Sequence, residues 1–228
     1  NVVERIIKKL EDLKNTKEKN QPLLPTENNV LKTFSIENEP VVELVNNRER
    51  EYIFADLPDI GYSTDIDTVM ASSYQVKKQL QQIVKIEQPI TNTLLYKRIL
   101  RIWNLTRVTT RLQVFIDSLL EDAYKDPLSG DTIIYWENKE KAKECDFYRI
   151  NSKRDILDIP ILEVMSAARY AIEQQISMPI EDLKRLTSQL LGFSRKGNNL
   201  DMVTEQTIQL LINKGIFSHA NGMVSMNN

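Results

Sequence analysis

An offset of 88 residues lays the second half of this chain on the first, and that self-similarity constrains the fold more than any motif does. Leu95 falls on Leu183, Leu105 on Phe193, Thr106 on Ser194, Arg107 on Arg195 and Leu112 on Leu200. A chain repeated in this way is expected to build one small unit twice rather than a single undivided core. Three apolar stripes at helical spacing mark the first copy: Val76, Leu80, Ile83 and Val84; Leu94, Leu95, Ile99, Ile102 and Trp103; Val108, Leu112, Phe115, Ile116, Leu119 and Leu120. Three more mark the second: Ile161, Val164, Met165, Ala168 and Ile172; Leu183, Leu186 and Leu190; Leu200, Val203, Thr207, Leu210 and Leu211, stopped by Gly215.

A strand pair closes each copy. In the first, the turn cluster Asp126 to Asp131 precedes Thr132-Ile133-Ile134-Tyr135-Trp136, a β-branched and aromatic run. In the second, residues 216 to 225 read as a hairpin turning at Asn221-Gly222, a pair suited to the positive φ angles of a type I′ turn. Between the second and third helices stands a short turn with a hydroxyl residue, Thr106 or Ser194, placed to cap the third helix. That is a helix-turn-helix followed by a wing. The expected fold class is mainly α with small β-hairpins, α+β, as tandem winged-helix units over 74–150 and 151–228. Tyr148-Arg149-Ile150 is either a further strand or the start of the connection.

Upstream, Val2, Val3, Ile6, Ile7, Leu10 and Leu13 predict an amphipathic helix over 1–14, read as the tail of a preceding domain because it opens abruptly without Met. Residues 15–73 read as a linker followed by an acidic strap. Glu27 to Val69 holds ten acids against three bases and no sustained helical period. Its β-prone runs, Val41 to Val45 and Tyr52 to Ala55, fit a strap lying extended on another surface rather than forming a core. A solvated acidic linker fits equally well.

Composition removes most function classes. At 228 residues, 41% hydrophobic and 27% charged, the chain can bury a core, and its formal charge of −2 gives no bulk attraction to nucleic acid or membrane. One cysteine, Cys145, and one histidine, His219, leave no zinc ligand set and no internal disulfide. No apolar run reaches the roughly 20 residues of a membrane span, so a cytoplasmic chain is expected. Six glycines and no GxxxxGK[ST], HExxH or GxSxG pattern argue against an enzyme and against a bound cofactor. The carboxylate pairs Asp155/Asp158 and Glu181/Asp182 lie beside expected helix starts, where acids are stabilising without chemistry. Cys145 lacks a cationic setting that would activate it. Trp103, Trp136, Tyr96 and Phe115 lie on apolar stripes and read as core.

Local charge supplies the candidate site. Residues 74–125 carry nine bases and four acids, with Lys97, Arg98, Arg101, Arg107, Thr109, Thr110 and Arg111 placed on or before the third helix to meet phosphate oxygens of duplex DNA. Arg195, Lys196, Asn198 and Asn199 hold the matching places in the second copy, and an Asn amide can also read a base edge. From Pro160 to Gly215 six acids balance six bases, which makes the second copy the weaker nucleic-acid candidate and the better docking one. Against both stands the plain alternative that an Arg at a helix start pairs with a nearby carboxylate.

The runs EQPITNTLLYKRILRIWNLTRVTTRL and IPILEVMSAARYAIEQQISMPIEDLKRLTSQLLGFSRKGNNLDMVTEQTIQLLINKG resemble the uncharacterised C-terminal domain of large bacterial superfamily I DNA helicases. The resemblance spans roughly residues 50 to 215, and its more specific elements are Pro89-Ile90, Trp103 to Arg107, Ile159-Pro160 and Leu191 to Gly197. It implies a parent with a split helicase core and a restriction-endonuclease-like domain, some such proteins serving anti-phage defence. ATP, Mg and strand cleavage would belong to the parent's other domains. The implied role is a non-catalytic module that positions the helicase-nuclease on duplex DNA; docking on the rest of the parent or on a defence subunit is the alternative. Asn104 stands where the family pattern often has glycine, a mild departure because Asn tolerates positive φ.

Overall fold

The computed structural model describes residues 47–62, 64–129, 132–150 and 153–227. The expected helix at 1–14, the linker at 15–29, the run Val41 to Val45 and Gly130 and Asp131 of the turn cluster lie outside the described residues. The described residues form one compact unit, mainly helical with small sheets.

The chain enters along β1 (Glu49–Glu51), then forms α1 (Ile66–Ala71) and α2 (Ser73–Glu87). β2 (Ile90–Thr91), α3 (Asn92–Ile102), α4 (Thr110–Leu119), β3 (Tyr124–Lys125) and β4 (Ile134–Trp136) follow. After α5 (Lys139–Lys143) and β5 (Tyr148–Ile150) the order repeats: α6 (Ile161–Glu173), β6 (Met178–Pro179), α7 (Ile180–Leu190), α8 (Asn198–Asn213), β7 (Phe217–Ala220) and β8 (Met223–Met226). Both copies thus run helix, strand, helix, helix, strand, strand, and the first strand, second helix and third helix begin 88 residues apart.

The two sheets share one topology. In each, the strand preceding the second helix pairs antiparallel with the last strand, giving the orders β2-β4-β3 and β6-β8-β7. Ile90 faces Tyr135 and Tyr124 faces Trp136; Met178 faces Val224 and Phe217 faces Met226. The two-residue strands β2 and β6 have no readable period, so the sequence showed only hairpins. Asn221 and Gly222 both have positive φ, 52° and 75°, as the hairpin reading expected.

The apolar stripes are buried as their spacing dictates. Val76, Leu80, Leu95, Ile99, Leu112 and Ile116 close the first core, with Trp103 and Tyr135. Ala168, Ile172, Leu183, Ile208, Leu211, Phe217 and Val224 close the second. A third cluster, Tyr148, Ile156, Ile159, Val164, Ala167, Leu191 and Leu200, fills the space where β5 meets α6 and α8.

The strap differs from its expectation. Glu49–Glu51 pairs in parallel with Tyr148–Ile150, so the latter is a strand. Tyr52 and Ala55, 6% and 3% exposed, enter the first core instead of lying on top of it. Tyr52 and Ala55 turn inward while Ile53 and Phe54 between them stay exposed, a spacing that departs from the two-residue alternation of a strand. The expected irregular stretch also contains a helix, α1, because Asp65 accepts a bond from the Thr68 amide (2.8 Å) and caps it. Among the described residues no helix is long and apolar enough to cross a membrane.

Candidate nucleic-acid interface

The same turn leads into the third helix of each copy. Asn104 and Gly192 take positive φ; their amides bond the carbonyls of Arg101 (3.2 Å) and Gln189 (2.9 Å). The next amides, of Leu105 and Phe193, reach back to Leu100 (2.9 Å) and Ser188 (3.0 Å), completing the paired bonds that close a helix C-terminus. The chain then runs extended before the third helix begins. Thr106 and Ser194 therefore lie too early to cap it, which corrects the sequence reading: Thr109 caps α4, accepting from the Leu112 amide (3.2 Å), and Gly197 stands at the cap of α8 with no side chain to offer.

In the first copy the cations are largely committed. Arg98 is partly buried, pairing with the fully buried Glu87 (2.9 Å) and donating to the Ala55 carbonyl (2.5 Å). Lys97 grips both oxygens of Asp158 (2.6 and 2.7 Å). The sequence places both among phosphate contacts; in the structure their charge is spent on carboxylates of this chain. Arg101 is exposed and shares a hollow of about 360 Å³ with Asp56 and Asp59. Arg107 and Thr110 are exposed, and Arg111 pairs with Asp67 of α1 (2.8 Å) across two mostly exposed side chains. The Thr64 hydroxyl donates to the Trp103 carbonyl, so the end of the strap sits against this turn.

The second copy is more open. Arg195, Lys196, Asn198 and Asn199 are all exposed. Arg195 and Lys196 pair with no carboxylate among the described residues, and with Asn198 they line a groove of about 430 Å³ together with Ser188, Phe193 and Asp201. With no capping side chain at Gly197, the first amides of α8 keep donors for an anion. Along the groove wall, buried Lys184 bonds Asp201 (2.7 Å), Glu205 (3.2 Å) and Glu181 (3.2 Å). Burial pulls its ammonium downward and those three carboxylates outweigh it, leaving the pKa above the ordinary lysine value. Glu181 and Asp182 thus serve as ion-pair partners, of Lys184 and Arg185, in the first turn of α7. His219 lies exposed on β7.

Sequence reasoning missed two features. The first is the outward side of α8, where Met202 is 45% exposed at the place that Val114, 64% exposed, holds on α4. Its signal was the complement of the apolar stripe. The second is a buried ionic knot. Arg149 and Arg154 both grip Glu163 (2.5 and 2.7 Å), and Arg149 also donates to the carbonyls of Glu87 (2.8 Å) and Pro89 (2.6 Å). Burial raises the Glu163 pKa and the two guanidiniums more than reverse it, holding the carboxyl at about 2. Both guanidiniums also lie over the Tyr52 ring, whose hydroxyl donates to Glu87 (2.5 Å). Isolated arginines in a β-strand and a loop gave no spacing from which to read this. Burial, then the Glu163 charge, push the nearby Cys145 thiol up to about 12. Trp103, Trp136 and Tyr96 are buried, and the Trp103 indole donates to Gln79 (2.8 Å). Among the described residues no group of three His, Cys, Asp or Glu could hold a metal ion.

No curated protein and no solved structure matches the chain. Residues 71–114, covering α2 and α3 and reaching into α4, match a family described as a protein of unknown function, DUF3320.

Proposed function

We propose that residues 74–150 and 151–228 are winged-helix units and that the chain is a non-catalytic module holding duplex DNA by its phosphates, chiefly at the start of α8. Arg195 and Lys196 are the phosphate partners, with Asn198 and Asn199 at the groove edge. The observation that carries this is the contrast between the helix starts: the second has unpaired cations, open amides and no cap, whereas the first is capped by Thr109 and flanked by Asp67. Net charge favours the first copy, but a sum over residues counts Lys97 and Arg98, which Asp158 and Glu87 already neutralise. The element order and sheet topology, common to both copies, support the winged-helix reading. The resemblance to a helicase-associated domain supports the wider role, positioning a helicase-nuclease on foreign DNA inside the cell, with ATP and Mg handled elsewhere in the parent.

The test is a fluorescence-anisotropy titration of the chain on a short duplex over a range of salt. Affinity should fall with a log-log slope of about −0.9 per phosphate contact. Charge reversal at Arg195 and Lys196 should abolish most binding, and reversal at Arg107 should cost less. Salt-independent or unchanged titrations reject the reading.

One observation favours a second reading, docking or autoinhibition by the parent. Asp67 holds Arg111 at the first helix start, as an acidic cover would. Tighter duplex binding by Asp67→Asn supports that reading for the first copy.

A further inference from the structure

The sixteen residues of α8 contain two charges, Asp201 and Glu205, and both are bound to Lys184 on α7. Leu200, Thr204, Thr207, Ile208 and Leu211 are buried, and the two threonine hydroxyls donate back to helix carbonyls of Leu200 (2.8 Å) and Val203 (2.7 Å). What remains outward is Asn199, Met202, Gln206, Gln209 and Asn213, spaced 3, 4, 3 and 4 residues apart, all exposed and none charged. A helix face turned to water carries charged and polar side chains, and here the charged kind is missing. Of the matching places on α4 and just beyond it, Arg111 and Glu121 are charged and Val114 and Ser118 are not. At the far end Gln209 donates to Asn213 (3.2 Å), so those amides satisfy each other. Asn199 and Gln206 have no side-chain hydrogen bond to a described residue, and Met202 lies between them.

We infer that Asn199, Met202 and Gln206 form a face that reads A·T pairs in the major groove of the duplex. The inference rests on the DNA-holding role proposed above and adds what that DNA must contain. The seven helical rises from Asn199 to Gln206 cover about 10 Å, close to three base steps of about 3.4 Å. A carboxamide offers one donor and one acceptor side by side, matching the acceptor N7 and donor N6 of adenine, and an apolar side chain meets the thymine methyl. Arg195 and Lys196 lie just before the N-terminal end of the stripe, where the phosphate wall of the groove would pass. A protein partner is the poorer occupant because Met202 is the one large apolar residue on the stripe, and docking cores are built from clusters of them.

The experiment compares three labelled duplexes of equal length at one salt concentration: all G·C, the same frame with three A·T pairs, and the latter with 7-deazaadenine, which lacks the N7 acceptor. The full chain should prefer the A·T duplex by about tenfold, and the deaza substitution should erase most of that preference. Met202→Ala with Gln206→Ala should bind the G·C duplex as before and lose most of the preference; alanine at exposed helix sites keeps the fold. Equal affinity for the first two duplexes, or a preference that survives the double alanine variant, overturns the base-reading face alone. Absence of binding to every duplex by the folded chain overturns both this inference and the DNA-holding role.

Discussion

Asn104 and Gly192 occupy one place in the two copies, each with positive φ, 47° and 88°, and each closing a helix with the same pair of backbone bonds. A Cβ built on Gly192 meets nothing within 4 Å, so what the site demands is a backbone angle rather than space. Asn104→Val and Gly192→Val should each lower stability by about 1–3 kcal/mol, while Asn104→Gly stays within about 1 kcal/mol of the parent. Urea midpoints at constant slope provide the check; a harmless Gly192→Val would deny that the angle matters.

Arg98 and Arg111, both phosphate candidates by sequence, should behave oppositely. Arg98→Ala leaves the buried Glu87 carboxylate with one charge partner fewer and should cost about 3–5 kcal/mol. Arg111→Ala breaks a pair open to solvent and should move stability by less than about 1 kcal/mol. Equal losses in urea unfolding would show that the interior role of Arg98 is misjudged.

The Glu163 carboxyl, near 2 when folded, lies below its ordinary value of 4.5. Its contribution is therefore complete above about pH 4.5 and drains away as pH falls toward 2, with a total of the order of 3 kcal/mol. Glu163→Gln should be destabilised at neutral pH, with two arginines left uncompensated, and should show a shallower loss between pH 5 and 2.5. Parallel acid limbs for the two proteins would contradict this.

Cys145 should be inert while the chain is folded. With its pKa pushed up to about 12, the thiolate fraction at pH 8 is on the order of 10⁻⁴, against about a quarter for a free thiol near 8.5. Reaction with a disulfide reagent should be slow in buffer and fast in denaturant. Rapid labelling of the native chain would contradict the raised pKa of the thiol.

The duplication was legible because its signals are local: apolar stripes, and Asn104 or Gly192 at a forced angle. The first sheet strands were not, since β2 and β6 are two residues long and their pairing is with distant segments. The caps were misplaced by three residues because Thr106 and Thr109 offer the same hydroxyl, and only the preceding turn decides between them. Of the candidate site, the exposed group at Arg195 to Asn199 was readable. The pairing of Lys97 and Arg98 was not, because Asp158 and Glu87 become their neighbours only through tertiary packing.

Arg48 reaches Glu173 at the end of α6 (2.7 Å), while Tyr52, four residues on, fills the first core. A truncation beginning at residue 74, the natural place to excise the first repeat, would discard this clasp and leave Arg149 and Glu87 facing a void. Gene duplication ordinarily yields domains that can be cut apart and studied singly; these two have surrendered that independence to a few residues upstream of both.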